Sequence, residues 1–395
     1  MVEAGAFVSR AKKTTATKAL IPTCAVLLAG GRGTRFWPRS RMRTPKQLLN
    51  IAGNETMLRE TVARLEPIVP LRNFWVVTNA EQSAAARGEL RGVPSSQILA
   101  EPLGRNTAAA IGLAAIHLAR VHGDALMAVL PADSYIADAP RYRKLVRAAL
   151  DLARTPGNLV VLGIPPTRPE TGYGYIERSG LVARPRGLAA YAVRRFTEKP
   201  GPPVARKYVE SGKYLWNAGM FFWRASTFLE NLRRFLPGTH AALTELAKTI
   251  GTVRYASALR RIYPRLENIS VDYAVMEPAT RSTSGMNARR NGPAGQPRVF
   301  VIPAKVGWSD IGSWAAVYEL LASKPGANVS AGPFFSIDAS GNYFWSPKKF
   351  IAAIGVRDMV LVETDDAILL CPRERSQDVG RIVKWLEERK VKQLL

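Results

Sequence analysis

The chain has 395 residues, long enough for one large domain or two to three smaller ones around a full core. Hydrophobic residues make up 47% and charged residues 22%, which excludes a mainly disordered, collagen-like or fibrous chain. The 56 Lys and Arg against 31 Asp and Glu give a formal charge of +25, a field that attracts phosphorylated metabolites, nucleic acid or acidic membranes alike. The basic residues are scattered, as in Arg141, Arg143, Lys144 and Arg147, so a solvated surface is expected ahead of nucleic-acid binding. No apolar run approaches the roughly 18–20 residues needed to span a bilayer, and no membrane partner is expected. Cys24 and Cys371 have neither disulfide-framework nor zinc-site spacing. A cytoplasmic location is therefore expected, and homo-oligomerisation is left open.

Residues 1–20 read as a disordered basic tail; the run Cys24–Ala29 is too short for a secretory signal and reads as a buried first strand. A helical stretch near Glu55–Leu65 precedes a strand at Phe74–Thr78. A helix near Ala80–Leu90 precedes a strand at Gln97–Ala100, and a helix over Thr107–Val121 precedes the strand Ala125–Leu130. Another helix leads to Leu159–Gly163. This alternation predicts an α/β fold: a three-layer, Rossmann-like arrangement with a mainly parallel sheet. Beyond residue 165, Gly172–Arg178, Tyr191–Phe196 and Leu215–Trp223 read as strands, followed by helices to about Pro278. The stretch Arg281–Arg298, with four Arg and no acid, reads as a flexible insertion. Val299–Ile302 is a predicted strand and Ser313–Leu321 a predicted helix. Residues 325–395 then form a small C-terminal β module, without visible internal repeat, closed by a helix from about Gln377 to Glu388. The domain division expected is 21–324 and 325–395.

The most informative segment is Leu28-Ala29-Gly30-Gly31-Arg32-Gly33-Thr34-Arg35-Phe36-Trp37-Pro38, ending in Pro45-Lys46-Gln47. A glycine-rich loop directly after a strand exposes backbone N–H groups to an anion, and Arg32, Arg35 and Lys46 add up to three cations. Neither GxxxxGK[ST] nor GxGxxG is present. The alternative is a tight turn with surface arginines. Asp133 follows a strand and so falls where open α/β sheets bind ligands, although a loop or capping role is equally open to it. Asp310 could ligate a metal or cap the helix after it. His117, in an Ala- and Leu-rich helix, reads as structural, and Trp216, Phe221, Phe222, Trp223, Trp308 and Trp314 read mostly as core packing.

The glycine-rich segment resembles the signature of the sugar-1-phosphate nucleotidyltransferases, in the guanylyltransferase form that uses mannose 1-phosphate. Further motifs agree in order: Glu101–Thr107, Leu130–Asp133, Gly172–Ile176, Phe196–Pro200, Trp216–Phe221, Ser270–Glu277 and Gly307–Trp314. The resemblance spans about residues 24–322 and implies a nucleotidyltransferase domain that makes GDP-mannose and pyrophosphate from GTP and mannose 1-phosphate with Mg2+. It implies phosphate-side roles for Arg35, Lys46 and Lys199. Nucleotide contacts would come from Ala29, Gly30, Gly31, Arg32, Gly33, Thr34, Glu101, Arg105, Asn106 and Thr107. Sugar contacts would come from Gly174, Glu198, Asn217 and Asp272, and metal ligation from Asp133 and Asp310. Read alone, Glu198 and Lys199 could be a surface pair, Thr107 a helix cap, Asn106 a turn residue, and Ser270 and Asp272 a helix start. The family commonly has His after Pro-Ala-Asp, where this chain has Ser134. Another base or sugar specificity, or a non-catalytic nucleotide-sugar binder, would keep most of these motifs. The roughly 70 residues after Lys324 are too few for an isomerase domain beside the β module, so a single activity is expected.

Overall fold

The computed structural model describes residues 21–51, 53–283 and 298–395; the tail expected at 1–20 and residues 284–297 of the expected insertion lie outside them. Strand β1 (Thr23–Leu28) sets the architecture, because its residues alternate between two cores: Cys24 and Val26 on one side, Ala25 and Leu27 on the other. A strand buried on both faces belongs in the middle of a layered stack. After it come α1 (Met57–Leu65), β2 (Phe74–Asn79), α2 (Ser83–Glu89), β3 (Ile98–Glu101), α3 (Asn106–His122), β4 (Leu126–Pro131), the short β5 (Tyr135–Ile136), α4 (Ala139–Ala153) and β6 (Asn158–Ile164). Capping fixes two of these helix starts: Thr56 accepts from the Arg59 N–H ahead of α1, and Asp138 from the Arg141 N–H ahead of α4.

The chain continues through β7 (Tyr175–Ala183), β8 (Ala190–Thr197), α5 (Pro202–Glu210) and β9 (Tyr214–Arg224). Next come α6 (Ala225–Phe235), α7 (Pro237–Ala247), α8 (Tyr255–Ile262), a π turn at Asp272–Met276, α9 (Glu277–Thr283) and β10 (Arg298–Pro303). Two expectations are corrected here. The strand read at Gly172–Arg178 begins only at Tyr175, because Gly172 turns back onto the Glu170 carboxylate. The edges of the expected insertion are regular, with 281–283 completing α9 and Arg298 opening β10.

The nine-stranded sheet has the order β3-β2-β1-β4-β9-β6-β10-β8-β7, and only β8 and β9 run against the other strands. Helices α3, α6, α7 and α8 cover one face, and α1, α2, α4 and α5 the other. This is the three-layer α/β arrangement that the alternation predicts.

Strand β11 (Trp308–Ser309) pairs antiparallel with β5, and α10 (Trp314–Leu321) follows. The C-terminal module contains β12 (Val329–Ser330), β13 (Phe334–Ile337), β14 (Tyr343–Trp345), β15 (Ile351–Ile354), β16 (Met359–Glu363) and β17 (Ile368–Pro372), then α11 (Val379–Glu388). β12, β14 and β16 stack in parallel, and β13 and β15 do the same, so the chain winds in coils that each feed two faces. The coils have unequal lengths, which is why no repeat is visible in the sequence. Asn342 is fully buried and joins successive coils. Its amide donates to Asn328 Oδ1 at 2.9 Å and to the Val356 carbonyl at 3.0 Å, and its oxygen accepts from the Met359 N–H at 2.9 Å.

A third core welds this module to the segment after the glycine-rich loop. Phe36, Trp37, Leu49 and Met57 pack with Ile311, Trp314, Tyr343, Val360, Val383 and Leu386. Trp37 Nε1 donates to the Leu394 carbonyl at 2.9 Å, and Trp314 Nε1 to the Trp37 carbonyl at 3.2 Å. Among the described residues no helix is long and apolar enough to cross a membrane. Replacing Asn342 by Ala strands a buried carbonyl and N–H groups, so Asn342→Ala is expected to lower the unfolding free energy by about 2–4 kcal/mol. Urea unfolding followed by tryptophan fluorescence measures this, and a loss below about 0.5 kcal/mol would mean that the coils hold without the ladder.

Candidate active site

Lys46 organises the site. The loop leaves β1 and turns at Gly33, whose φ of 61° is left-handed; a Cβ there would collide with Lys46 Cβ and lie 2.9 Å from the Lys46 nitrogen. Lys46 is buried, and its ammonium donates to the Asp133 carbonyl and to Asp133 Oδ2, both at 2.9 Å, and to the Asp310 carbonyl. Gln47 braces the loop from behind, with Nε2 donating to the Ala29 carbonyl at 2.6 Å and the Gly31 carbonyl at 3.1 Å. Thr78 Oγ1 also donates to the Ala29 carbonyl, at 2.9 Å.

Asp133 and Asp310 meet through the β5–β11 pair, in which Tyr135 faces Ser309. Asp310 caps no helix: α10 starts after Ser313, without a side-chain cap bond. Its Oδ1 accepts from the Tyr173 hydroxyl at 2.6 Å. That bond, the negative charge of Asp310 and above all burial hold the Tyr173 phenol far above its ordinary range. Both carboxylates line one cavity of about 440 Å³, together with Gly33, Thr34, Arg35 and Lys46.

The opposite wall of that cavity is formed by Gly174, Glu198, Lys199 and Asn217. A Cβ on residue 174 would have to push Glu198 Oε2 aside, so glycine there lets the carboxylate lie close against the backbone. Glu198 Oε2 is buried without a hydrogen-bond partner among the described residues, while Oε1 pairs with Lys199 Nζ at 3.2 Å. Burial raises the Glu198 carboxyl, Lys199 opposes that shift and Glu277 adds to it; the Glu277 carboxylate also accepts from the Glu198 N–H at 3.2 Å. Lys199 is the exposed member of the pair and adopts a left-handed φ of 47°. Asp272 lies behind this wall and does not line the cavity; its Oδ1 accepts from Asn217 Nδ2 at 2.8 Å. Burial, with Glu198 close by, pushes the Asp272 carboxyl up to about 7.

The residues read as nucleotide contacts divide. Ala29, Gly30 and Gly31 lie on the loop beside Glu101, and a Cβ on Gly30 would be 3.1 Å from Glu101 Oε2. Arg32 turns away to Glu387 of α11 at 2.6 Å, which leaves Arg35 as the loop arginine lining the cavity. The Arg105 guanidinium donates to the Pro264 carbonyl. Asn106 fixes its turn, with φ 62° and Oδ1 accepting from the Thr107 N–H at 2.9 Å; Thr107 Oγ1 accepts from the Val271 N–H at 2.8 Å and caps nothing. His117 pairs with the Tyr255 hydroxyl at 2.7 Å, and burial lowers its pKa to about 4, as befits a structural histidine. Tyr173, Gln47, Thr78, Tyr263 and Glu277 were not apparent as site residues in the sequence. Gln47, Tyr173 and Glu277 each stood inside a quoted motif, Tyr173 between two glycines in Gly172-Tyr173-Gly174, whereas Thr78 and Tyr263 carried no such signal.

A glycine-rich loop and two carboxylates that line one cavity suit an α/β enzyme of phosphoryl or nucleotidyl transfer. Likeness to known proteins narrows this class. The nucleotidyl transferase family profile matches residues 24–325, and that of the MannoseP isomerase/GMP-like β-helix domain matches residues 332–386. This chain belongs to the nucleotidyl transferase family, among the relatives of the mannose-1-phosphate guanylyltransferases. It is 37% identical over 367 residues to the mannose-1-phosphate guanylyltransferase ManC of Salmonella typhimurium, covering 92% of this chain and 72% of that one. With the mannose-1-phosphate guanylyltransferase of Escherichia coli the identity is 38% over 366 residues, covering 92% and 74%. A crystal structure from Thermus thermophilus, described as a mannose-1-phosphate geranyltransferase, has a TM-score of 0.80 at 34% identity, covering 93% of this chain and 100% of that one.

Because residue 33 has no room for a methyl group, Gly33→Ala must displace Lys46 and with it both acidic loops. Transferase activity is expected to fall on the order of 100-fold while the thermal melt stays cooperative. Wild-type turnover by Gly33→Ala in a pyrophosphate-release assay would show that the Lys46 contacts do not set the geometry.

Proposed function

We propose that the protein transfers the guanylyl group of GTP to mannose 1-phosphate, giving GDP-mannose and pyrophosphate. The observation that carries this reading is the single cavity holding Arg35, Lys46, Asp133 and Asp310 on one side and Gly174, Glu198, Lys199 and Asn217 on the other. The 37–38% identity to guanylyltransferases supports the choice of substrates.

In the proposed reaction a phosphate oxygen of the sugar phosphate bonds to the α-phosphorus, and the bond from that phosphorus to the bridging oxygen of pyrophosphate breaks. The electron pair leaves with pyrophosphate. The nucleophile is already an anion, so no general base is needed. Arg35 and the N–H groups of the glycine-rich loop bind the triphosphate, and Lys199 the sugar phosphate. Glu198 Oε2, buried without a partner among the described residues, would accept a hydrogen bond from a sugar hydroxyl, and Asn217 would orient the ring beside it.

Asp133 and Asp310 would hold Mg2+. Their oxygens suit a hard cation, and among the described residues no group of three or more His, Cys, Asp or Glu is arranged for a metal, so phosphate and water oxygens would complete the coordination. When bound, the ion would offset charge on the phosphates.

The proposal is tested by pyrophosphate release from four nucleoside triphosphates paired with mannose, glucose and N-acetylglucosamine 1-phosphates. Preference for GTP with mannose 1-phosphate supports the proposal, and preference for another pair overturns it. Asp133→Asn and Asp310→Asn are each expected to lose on the order of 100-fold or more in kcat without unfolding. Retained Mg2+-dependent activity in either would remove that residue from metal binding. Lys199→Ala is expected to raise the KM for mannose 1-phosphate by about tenfold or more with the KM for GTP nearly unchanged. An equal rise in both would place Lys199 elsewhere.

A further inference from the structure

The carboxylate of Glu101 ends β3 directly beneath the glycine-rich loop, with Oε2 facing the Gly30 backbone. Its other oxygen, Oε1, accepts a 2.5 Å hydrogen bond from the hydroxyl of Tyr263, a residue 162 positions away whose ring is completely buried. The Arg105 backbone N–H also donates to the carboxyl. The loop after Glu101 is fastened to the same stretch of chain: the Arg105 guanidinium bonds the Pro264 carbonyl, the Ala108 N–H the Ile269 carbonyl, and Thr107 Oγ1 the Val271 N–H. A carboxylate built so firmly beneath an anion-binding loop is a fixed acceptor, and guanine presents two adjacent donors, N1–H and N2–H, to such a group.

We propose that Tyr263 is a positioning residue for base selection: its hydroxyl orients the Glu101 carboxylate so that the edge facing the Gly30 backbone meets the paired donors of guanine. The inference rests on the reading of this protein as a GTP-using transferase.

The hydroxyl also governs when that edge is an acceptor. Burial pushes the Glu101 carboxyl up to about 7, against the lowering effects of the Tyr263 and Arg105 hydrogen bonds. The other titratable or charged groups around it are the Arg105 guanidinium and, behind Tyr263, the Tyr255 phenol with its partner His117. Below about pH 7 a protonated Glu101 sets a donor against the guanine donors; above it the carboxylate accepts. Removing the Tyr263 hydroxyl removes a bond that favours the ionised form, so the Glu101 carboxyl moves further up.

The experiment measures kcat/KM for GTP and for ITP, which lacks the 2-amino group, between pH 6 and 9 at saturating mannose 1-phosphate. It compares the full chain with its Tyr263→Phe variant. In the wild type, kcat/KM for GTP should rise with pH through about 7. In Tyr263→Phe the rise should move up by about one pH unit, with a loss of about fivefold at pH 7 that recovers in alkali. The preference for GTP over ITP should shrink, and the KM for mannose 1-phosphate should stay put. Equal losses with GTP and ITP on an unshifted profile would overturn the proposal and leave Tyr263 as packing. The same pair is compared in a Glu101→Ala background, where the hydroxyl has no carboxylate to orient. Tyr263→Phe should there change kcat/KM by less than about twofold, and a full-sized effect would also overturn the proposal. The wild-type measurement separates the two levels: a wild type that prefers another nucleotide sinks the GTP reading, whereas a GTP-selective wild type with an unaffected variant sinks only the role of Tyr263.

Discussion

The ammonium group of Lys46 is the contact on which the rest of the site depends. A buried charge is tolerated only when its hydrogen bonds are complete, and an ammonium has three to give. Lys46 places all three, on the Asp133 carbonyl, the Asp133 carboxylate and the Asp310 carbonyl. With all three donors placed, Lys46 locks two acidic loops, from distant parts of the sequence, to the loop that follows β1. Arg32 is held by Glu387, so the loop arginine lining the cavity is Arg35. Of the three cations that the sequence puts on this loop, Lys46 is a strut at the cavity wall, Arg32 is tied to the terminal helix and Arg35 lines the cavity.

That division explains what the C-terminal coils contribute. They provide none of the residues lining the cavity, yet the segment carrying Lys46 is walled in by them. Arg39 stacks on Trp345 at 3.5 Å, Arg41 pairs with Asp366 at 2.7 Å, and Trp37 is held from both Trp314 and Leu394. Exposed ion pairs such as Arg41–Asp366 add little. The burial of Phe36, Trp37, Trp314 and Tyr343 against one another dominates, and it fixes the angle at which Lys46 enters the sheet end.

How much of this the sequence disclosed follows from how local each signal is. Strand β1 and its loop were legible because an unbroken apolar run stops at glycines. Glu198 and Lys199 were legible as neighbours, and in the structure they are both an ion pair and part of the cavity wall, so the two readings of them were not exclusive. Asp133 and Asp310 could be nominated from their motifs, but their meeting depends on β5 and β11, two residues each, too short to leave a periodic trace. Tyr173 and Tyr263 act on partners 137 and 162 residues away, and no spacing rule connects them. Asp272 and Arg105 lie in the expected neighbourhood and their protein bonds span the chain, since Asp272 backs Asn217 and Arg105 holds the chain at Pro264. The coils escaped notice because parallel stacking needs only matching faces, whereas a sequence repeat needs equal lengths.

The stretch from Tyr263 to Asp272 ties these observations together. It bonds Glu101 and the loop after it through Tyr263, Pro264, Ile269 and Val271, and it bonds Asn217 through Asp272. Its last residue opens a π turn, a departure from regular helix that costs stability and is found frequently at functional sites. In-line transfer requires the two substrates to approach along one axis, and misalignment of about 1 Å is expensive. Two walls hung on separate elements would drift independently; hung on one short stretch whose polar groups are bonded to both, they move together. The Glu101 end of β3 and the Asn217 wall are thereby joined through a segment that lines none of the cavity between Lys46 and Lys199.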